Sequence, residues 1–248
     1  MSPRICFLLP AALALLANAS GVHAASAPRD WVLYRPSNST FYVRHEPGNA
    51  PAREVAFGAA GDVPFWADFS GDGKRVPALY RKGQWLISTH ADGKADLVLS
   101  FGGQPGDVPL VGDVDGDHRA DVVAFRGGEW YVRGTRNPAV TQIYRFGVSG
   151  DVPLLADFDG DGSVDLAVFR SGHWYVDSNR DGKADLEFAF GGVAGERVLA
   201  GAGSDGRAAP ILFRDGLWLV SAQRDGKVSE QNAFGAKGDI PVAVWTSK

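Results

Sequence analysis

The sequence predicts an all-β fold, a five-bladed β-propeller built from four-stranded repeats of about 44 residues. Three observations lead to this fold. A Phe-Gly pair recurs five times at intervals of 44 or 45 residues, and each repeat contains four short segments of alternating apolar and polar residues. Asp outnumbers Glu by 23 to 6, which favours turns and metal-binding loops over long helices.

The repeat has fixed landmarks. Its Phe-Gly pairs are followed by a Gly-Asp-Val-Pro turn, of which Gly195-Glu196-Arg197 is a worn copy, and they begin at Phe57, Phe101, Phe146, Phe190 and Phe234. An aromatic residue stands sixteen residues earlier, at Phe41, Trp85, Trp130, Trp174 and Trp218, and we expect these rings to pack between blades. Five arginines, expected to pair with Asp62, Asp107, Asp151 and Asp239, follow an aromatic residue at Arg35, Arg81, Arg126, Arg170 and Arg214.

Four strands can be assigned within the repeat that starts at Asp151. They are Val152–Ala156, Asp165–Arg170, His173–Asp177 and Ala184–Phe190, each bounded by Gly, Asp or Pro. Four strands in about 44 residues correspond to one propeller blade.

The two ends of the repeat region predict how the ring closes. Asp30–Arg35 matches the second strand of the unit, and Asp239–Trp245 matches its first strand. A C-terminal strand can therefore complete the N-terminal blade and remove open sheet edges. The predicted units, which form a single domain over residues 25–248, are about 30–61, 62–106, 107–150, 151–195, 196–238 and a closing strand 239–246.

Met1–Ala24 is predicted to be a secretory signal peptide. Arg4 precedes the apolar run Ile5–Ala17, and Val22-His23-Ala24 resembles a cleavage site. The only cysteine of the chain, Cys6, lies inside this segment, so the mature protein would have no disulfide. We expect a secreted or periplasmic protein, and no later segment is apolar enough to span a membrane.

Two loops between first and second strands have the spacing of a calcium site shortened to nine residues. Carboxylates at loop positions one, three, five and nine, with a backbone carbonyl at position seven, would surround one hard cation. The residues predicted to do so are Asp113, Asp115, Asp117, Arg119 and Asp121 in one loop, and Asp157, Asp159, Asp161, Ser163 and Asp165 in the other.

Further candidates occur elsewhere in the repeats. Asp177, Asn179, Asp181 and Asp185 form a complete set between the third and fourth strands of one unit. Asp68, Ser70 and Asp72 lack the ninth-position ligand, which leaves two interpretations open, a calcium site and a plain tight turn.

The order Phe-Gly, Gly-Asp-Val-Pro, Asp-x-Asp-x-Asp-Gly-x-x-Asp resembles FG-GAP/VCBS-type repeats, as found in the integrin α-subunit propeller and in many secreted bacterial proteins. The resemblance covers Asp30 to about Trp245. It implies a propeller with structural Ca²⁺ in the loop between first and second strands, carried here to Asp113–Asp121 and Asp157–Asp165. Integrin propellers have seven blades, whereas this chain supplies five.

The composition and motifs narrow the function. The net charge of −4 and the lack of a basic stripe argue against nucleic-acid binding. No hydrolase or zinc-protease motif is present. We therefore favour a monomeric, non-catalytic binding or adhesion module that recognises a glycan, as a lectin does, or a protein on a surface.

Two other functions stay open at this stage. One is a glycosidase or lyase that acts on polysaccharide at the central channel, and the other is a purely structural or protein-docking propeller. Specificity is expected where one blade departs from the others, and the candidate ligand contacts of this kind are His45, Trp66, Arg133 and Arg136.

Overall fold

The structure is a computed structural model, and it describes residues 29–46, 52–138 and 141–244. These residues form twenty β-strands and no α-helix, and therefore no helix that could span a membrane. The predicted signal peptide, Met1–Ala24, lies outside the described residues and stays a prediction.

The strands are short, as expected of segments bounded by Gly, Asp and Pro. In chain order they are β1 (Arg29–Arg35), β2 (Thr40–Glu46), β3 (Arg53–Ala56), β4 (Val63–Ala67), β5 (Val76–Arg81), β6 (Gln84–Ile87), β7 (Leu97–Ser100), β8 (Val108–Gly112), β9 (Asp121–Arg126), β10 (Glu129–Arg133), β11 (Thr141–Arg145), β12 (Val152–Ala156), β13 (Asp165–Arg170), β14 (His173–Asp177), β15 (Leu186–Ala189), β16 (Arg197–Ala202), β17 (Ala208–Arg214), β18 (Leu217–Val220), β19 (Glu230–Ala233) and β20 (Ile240–Val242).

Five antiparallel four-stranded sheets form the five predicted blades. From the channel outward, blade 1 is β20-β1-β2-β3, and blades 2 to 5 are β4–β7, β8–β11, β12–β15 and β16–β19. The predicted ring closure is confirmed, since Val242 pairs with Val32 and Pro241 with Leu33. Neighbouring inner strands contact one another around a central axis.

The first three strands predicted in blade 4 are confirmed residue by residue, but the fourth is shorter than Ala184–Phe190. It ends at Ala189 because the Phe190 N–H turns to the Gly172 carbonyl, 2.9 Å away. The closing strand is likewise shorter than 239–246, since the Asp239 N–H closes a turn onto the Ala236 carbonyl.

The hydrophobic core lies between adjacent blades. One cluster joins Val123 and Trp130 of blade 3 to Leu166 and Val168 of blade 4, and all four are almost completely buried. Each blade contributes to two such clusters, so burial of apolar surface holds the ring together. The repeated tryptophans therefore pack between blades, as predicted.

A repeated clamp explains the constant interval between each tryptophan and its Phe-Gly pair. The Phe146 N–H donates to the Gly128 carbonyl of the hairpin, and the Phe146 carbonyl accepts the indole N–H of Trp130, both at 2.9 Å. The equivalent indole bonds join Trp85 to Phe101, Trp174 to Phe190 and Trp218 to Phe234.

The glycine of the Phe-Gly pair permits close packing of blades. Gly147 has a φ of 84°, and a Cβ there would lie 2.8 Å from Val168 Cγ1 of the next blade. A side chain would be strained by the backbone and would also clash with the neighbouring blade. The Phe-Gly pair is therefore a packing motif.

Candidate metal centre and binding surfaces

Two acidic clusters form in the loops between the inner and second strands of blades 3 and 4. Carboxylate oxygens of Asp113, Asp115 and Asp117 lie within 4.8 Å of one another, and the same holds for Asp157, Asp159 and Asp165. The structure thus gathers three of the four predicted carboxylates of each set, without Asp121 in the first and without Asp161 in the second, and either cluster could hold a metal ion.

The first aspartate folds each loop around itself. In blade 3, Asp113 Oδ1 accepts the N–H groups of Gly116 and Asp117, and its Oδ2 accepts the N–H of His118. His118 has a φ of 66°, the left-handed conformation that the sixth loop position requires. This wrapping brings the side chains at the third and fifth positions onto the same side of the loop.

Asp121, at the ninth loop position, carries an unsatisfied oxygen. The residue is 1% exposed, and its Oδ2 accepts the N–H groups of Val114 and Asp115. Its Oδ1 is buried and has no hydrogen-bond donor among the described residues. Burial raises the pKa of Asp121 to about 7, and the charges of Asp115 and Asp113 add to this effect.

The second cluster has the same electrostatic character. Asp165 Oδ2 accepts the N–H of Phe158 at 2.7 Å, while burial, reinforced by the charges of Asp159 and Asp157, raises the pKa of Asp165 to about 7. Carboxylates held this close repel one another without a cation, and an oxygen-only set suits a hard divalent ion. The residues therefore fit calcium.

The third complete set is arranged differently. Asp185 Oδ1 accepts the amide of Asn179, and Asp185 Oδ2 accepts the N–H and hydroxyl of Ser178, so both oxygens already have donors. Asp177, Asp181 and Asp185 do not form a described carboxylate cluster. Calcium binding by Asp177, Asn179, Asp181 and Asp185 stays a prediction.

In the loop of blade 2, groups of the loop itself donate hydrogen bonds to the carboxylates of Asp68 and Asp72. Asp68 Oδ1 accepts the N–H groups of Ser70 and Gly71, Asp68 Oδ2 accepts that of Gly73, and the Ser70 hydroxyl donates to Asp72. Asp113 accepts equivalent backbone bonds in blade 3, so both interpretations of the Asp68 loop, a calcium site and a plain tight turn, stay open.

A chain of backbone hydrogen bonds joins the acidic loops of successive blades, which sequence reasoning missed. The N–H at the eighth loop position donates to the carbonyl at the first position of the preceding loop, from Ala120 to Asp68, from Val164 to Asp113 and from Ala208 to Asp157. The loops of adjacent blades are therefore tied together through the backbone.

The predicted arginine–carboxylate pairs lie on the opposite face. Arg81 Nε lies 2.6 Å from Asp62 Oδ1, and the equivalent pairs are Arg35–Asp239, Arg126–Asp107 and Arg170–Asp151. In blade 5 Glu196 replaces the aspartate and pairs with Arg214. The worn copy of the turn thus keeps the ion pair with a longer acid.

Two of the predicted ligand contacts have structural roles instead. Trp66 is 3% exposed and packs against Phe41 in the core, so it offers no surface to a ligand. Arg133 Nη1 donates at 2.6 Å to the carbonyl of Ser100, the last residue of the outer strand of blade 2. Arg133 therefore holds adjacent blades together.

The same interblade contact recurs around the ring in two forms. In blade 1, Arg44 occupies the position of Arg133 and donates to the carbonyl of Ala233 in blade 5. In blades 2, 4 and 5 a glycine of the loop between the third and fourth strands packs against the equivalent carbonyl of the preceding blade. The contacts are Gly93 on Ala56, Gly182 on Arg145 and Gly226 on Ala189. In blades 1 and 3, which lack an acidic loop at this place, an arginine side chain thus makes the contact that the loop glycine makes in the other blades.

The remaining two candidates are exposed. The His45 ring lies with its Nδ1 2.6 Å from Asp30 Oδ1, and Arg75 Nη1 lies 2.8 Å from Asp30 Oδ2. Arg136 is exposed on the loop that follows β10. Both stay predicted ligand contacts.

A polar cleft of about 450 Å³ opens beside the hairpin of blade 3. Its charged lining consists of Arg126, Glu129 and Arg145, and Gly182 of blade 4 closes one side. Glu129 accepts hydrogen bonds from the Tyr131 hydroxyl and from Arg145 Nε. Sequence reasoning missed this cleft. The available signal was that Glu129 and Arg145 are charged, whereas the residues at the same repeat positions of blade 2 are Gln84 and Ser100.

A second cavity, of about 520 Å³, lies within the ring formed by the inner strands. We call it the axial channel. Its lining includes Phe65, Leu110, Leu154 and Val198, with Asp157 as its only carboxylate among the described residues.

Comparison with known proteins supports the fold alone. The sequence matches no protein-family model, and no curated protein is significantly similar to it. A protein of unknown function from Bacteroides caccae superposes with a TM-score of 0.51 at 9% identity, over 84% of this chain and 73% of that one.

Two other solved structures superpose with lower TM-scores. An Agrocybe aegerita lectin that recognises non-reducing terminal N-acetylglucosamine gives 0.46 at 21% identity, over 80% of this chain and 61% of the lectin. Kluyveromyces lactis Hsv2 gives 0.40 at 14% identity, over 84% of this chain and 74% of that one. The chain thus spans less than two thirds of the lectin, and these likenesses extend to overall fold and no further.

Proposed function

We propose that this protein is an exported, calcium-stabilised β-propeller that acts as a non-catalytic binding module for glycans. The buried Oδ1 of Asp121 lacks a donor and lies in the same loop as the clustered carboxylates of Asp113, Asp115 and Asp117, and this observation carries the calcium part of the proposal. A cation supplies the partner that this oxygen requires, since a buried unpaired charge is costly.

Calcium suits these loops better than other divalent ions. The sites of blades 3 and 4 offer only oxygen ligands, with a further carbonyl at the seventh position from Arg119 or Ser163. We expect affinities of about 10⁻⁴ to 10⁻³ M, as in extracellular modules. The resemblance to FG-GAP/VCBS-type repeats and the predicted signal peptide support a secreted or periplasmic protein of that kind.

The polar cleft supports a glycan ligand. Sugars present hydroxyl groups that both donate and accept, and the cleft offers the guanidinium groups of Arg126 and Arg145 beside the carboxylate of Glu129. The axial channel gives less support to a glycosidase or lyase, because its one described carboxylate, Asp157, belongs to a candidate calcium loop.

The calcium proposal is tested by titration calorimetry and by thermal unfolding of the full chain with calcium or with chelator. We expect calcium heat and a melting temperature several degrees higher with calcium. Identical melts together with no calcium heat would contradict it.

The glycan proposal is tested separately on a glycan array with Arg145→Ala. The Arg145 side chain is 80% exposed, so its removal should leave the fold intact. We expect bound glycans to be lost in Arg145→Ala and retained in Arg53→Ala, the matched control on the exposed outer strand of blade 1. An array with no bound glycan would contradict glycan recognition without affecting the calcium proposal.

A further inference from the structure

We propose that the axial channel binds a single linear apolar chain that ends in a carboxylate, a fatty-acid-like ligand whose head group lies at Arg197. This inference goes beyond calcium and glycan binding and depends on neither. It follows from the lining of the channel, from the inner edges of the blades and from the departure of blade 5 from the other four.

The channel lining suits a hydrocarbon. Phe65, Leu110, Leu154 and Val198 contribute aliphatic or aromatic surface from four different blades, and Val242 contributes from the fifth. Apolar cavities in proteins stay dry and take apolar ligands. A polyhydroxylated ligand would leave its hydroxyl groups unpaired here, which disfavours a sugar.

Prolines make the inner edges less polar. The second residue of the inner strand is proline in four of the five blades, namely Pro64, Pro109, Pro153 and Pro241. An inner strand has one unpaired edge, and proline is accepted there because it has no N–H to satisfy. The channel therefore has fewer backbone donors than an ordinary sheet edge would present.

Blade 5 breaks this pattern at both of its first two residues. The inner strands of the other blades begin with Val63, Val108, Val152 and Ile240, whereas that of blade 5 begins with Arg197 followed by Val198. Arg197 lines the channel and is exposed, and its side chain has no hydrogen bond or ion pair with the described residues.

Arg197 thus provides an uncommitted positive charge at one end of an apolar cavity. The backbone N–H of Val198 stands where the other blades have proline, and it adds a possible donor. A carboxylate matches this pair, because charge-assisted hydrogen bonds from arginine to carboxylate are the strong ones.

The opposite end of the channel is less suited to a head group. Asp157 lines the channel at that end and would repel a carboxylate. Arg75 is already paired with Asp30, whereas Arg207 has no ion pair among the described residues and packs its stem over Gly160 of blade 4, where a Cβ would lie 3.1 Å from Arg207 Cγ. The inner strands define the length available to the chain. Five residues of β12 at about 3.3 Å each extend about 17 Å, enough for an extended acyl chain of medium length.

A chain-length series of n-alkanoates, from octanoate to hexadecanoate, tests the inference by calorimetry on the full chain below the critical micelle concentrations. We expect one molecule per chain, with affinity rising about fourfold per added methylene until the channel is filled and then levelling off. Absence of saturable binding, or affinity that rises without a limit, would overturn it, since the latter indicates adsorption to the outer surface.

Variants locate the ligand. Arg197→Ala should reduce dodecanoate affinity by about tenfold or more while leaving dodecanol affinity unchanged. Arg207→Ala at the opposite end is the matched control and should leave both affinities unchanged. If Arg207→Ala instead removes the preference for dodecanoate, the assignment of the head group to Arg197 is wrong.

A second pair of variants tests the channel itself. Leu110→Trp fills the cavity and should abolish dodecanoate binding, whereas Ile143→Trp on the exposed outer strand of blade 3 should not. Thermal unfolding shows whether Leu110→Trp folds, and if it does not, the Arg197→Ala result decides alone. Equal dodecanoate binding by both folded tryptophan variants would overturn the channel assignment.

Discussion

The indole N–H of Trp130 donates a hydrogen bond of 2.9 Å to the carbonyl oxygen of Phe146, sixteen residues later in the same blade. Both residues belong to the core cluster between blades 3 and 4. The bond therefore joins the fold of one blade to its packing against the next. It also explains why the two aromatic landmarks keep a constant interval.

Removing the indole donor should destabilise the protein. We expect Trp130→Phe to lower the free energy of unfolding by about 2 kcal/mol, because the buried Phe146 carbonyl loses its partner. Urea unfolding measures the difference. Tyr144→Phe, which removes a hydroxyl bonded to exposed Gln142, is the control and should change stability little. Equal effects of the two substitutions would contradict the clamp.

Neutralising Asp121 should have opposite effects with and without calcium. We expect Asp121→Asn to lower the calcium stoichiometry by one, since it removes the charge at the ninth loop position. In chelator its melting temperature should equal or exceed that of the wild type, because repulsion from Asp113 and Asp115 is relieved.

Calorimetry and thermal unfolding check both expectations. Asp225→Asn is the control and should retain the wild-type stoichiometry, because the loop between β18 and β19 has Ser221, Gln223 and Ser229 at its other ligand positions. A lower melting temperature of Asp121→Asn in chelator, with calcium binding intact, would show that Asp121 is only a structural hydrogen-bond acceptor.

The ion pairs of the opposite face predict the pH dependence of stability. Burial alone would raise the pKa of Asp62, but hydrogen bonds from Arg81 and from the Ala59 N–H outweigh it, so that pKa is lowered. Asp151 beside Arg170 has a lowered pKa for the same reasons. Their contribution is fully present above the unfolded pKa of about 3.9 and is lost as pH falls through the folded value.

Arg81→Gln should move the acid unfolding transition to higher pH, because burial of Asp62 is then no longer offset by the guanidinium. Circular dichroism during acid titration measures the midpoint. Lys82→Gln makes the same charge change at the exposed neighbouring position and should leave the midpoint in place. A midpoint that is the same in both variants would contradict a stabilising role for the pair.

Arg133 makes an interblade contact, whereas Arg136 is an exposed predicted ligand contact, so substituting each should affect stability differently. We expect Arg133→Ala to lower the melting temperature and to speed hydrogen exchange in β7 and β10, because the Ser100 carbonyl loses its donor. Arg136→Ala should leave both unchanged, since Arg136 is exposed. Unchanged exchange in Arg133→Ala would contradict the interblade role.

Much of the fold can be predicted from the sequence. The recurrence of Phe-Gly defines five units, alternating segments define four strands in each, and the matching ends of Asp30–Arg35 and Asp239–Trp245 define the closure. These features depend on residue spacing and local pattern, both of which can be read directly from the sequence. The arginine–aspartate pairs were predictable for the same reason, because each pair recurs with its repeat.

The functional surfaces were only partly predictable. Ligand spacing is the same in Asp113–Asp121 and Asp177–Asp185, yet only the former gathers three carboxylates, because its third position is Asp115 where the latter has Asn179. In the latter loop Asn179 and Ser178 also satisfy the oxygens of Asp185. Trp66 differs from its repeat equivalents, yet it fills the core instead of contacting solvent. Spacing gives the residues available to a loop, whereas hydrogen bonding decides where their oxygens point.

The sequence by itself thus determined the number, phase and closure of the blades and the position of the acidic loops. Tertiary structure decided which side chains meet across blades. Three features join residues of different strands or different blades. They are the hydrogen bond from Arg133 to the Ser100 carbonyl, the polar cleft at Glu129 and the apolar channel beside Arg197. Such contacts depend on the twist and packing of sheets about 44 residues apart in the chain, and no local pattern encodes that geometry.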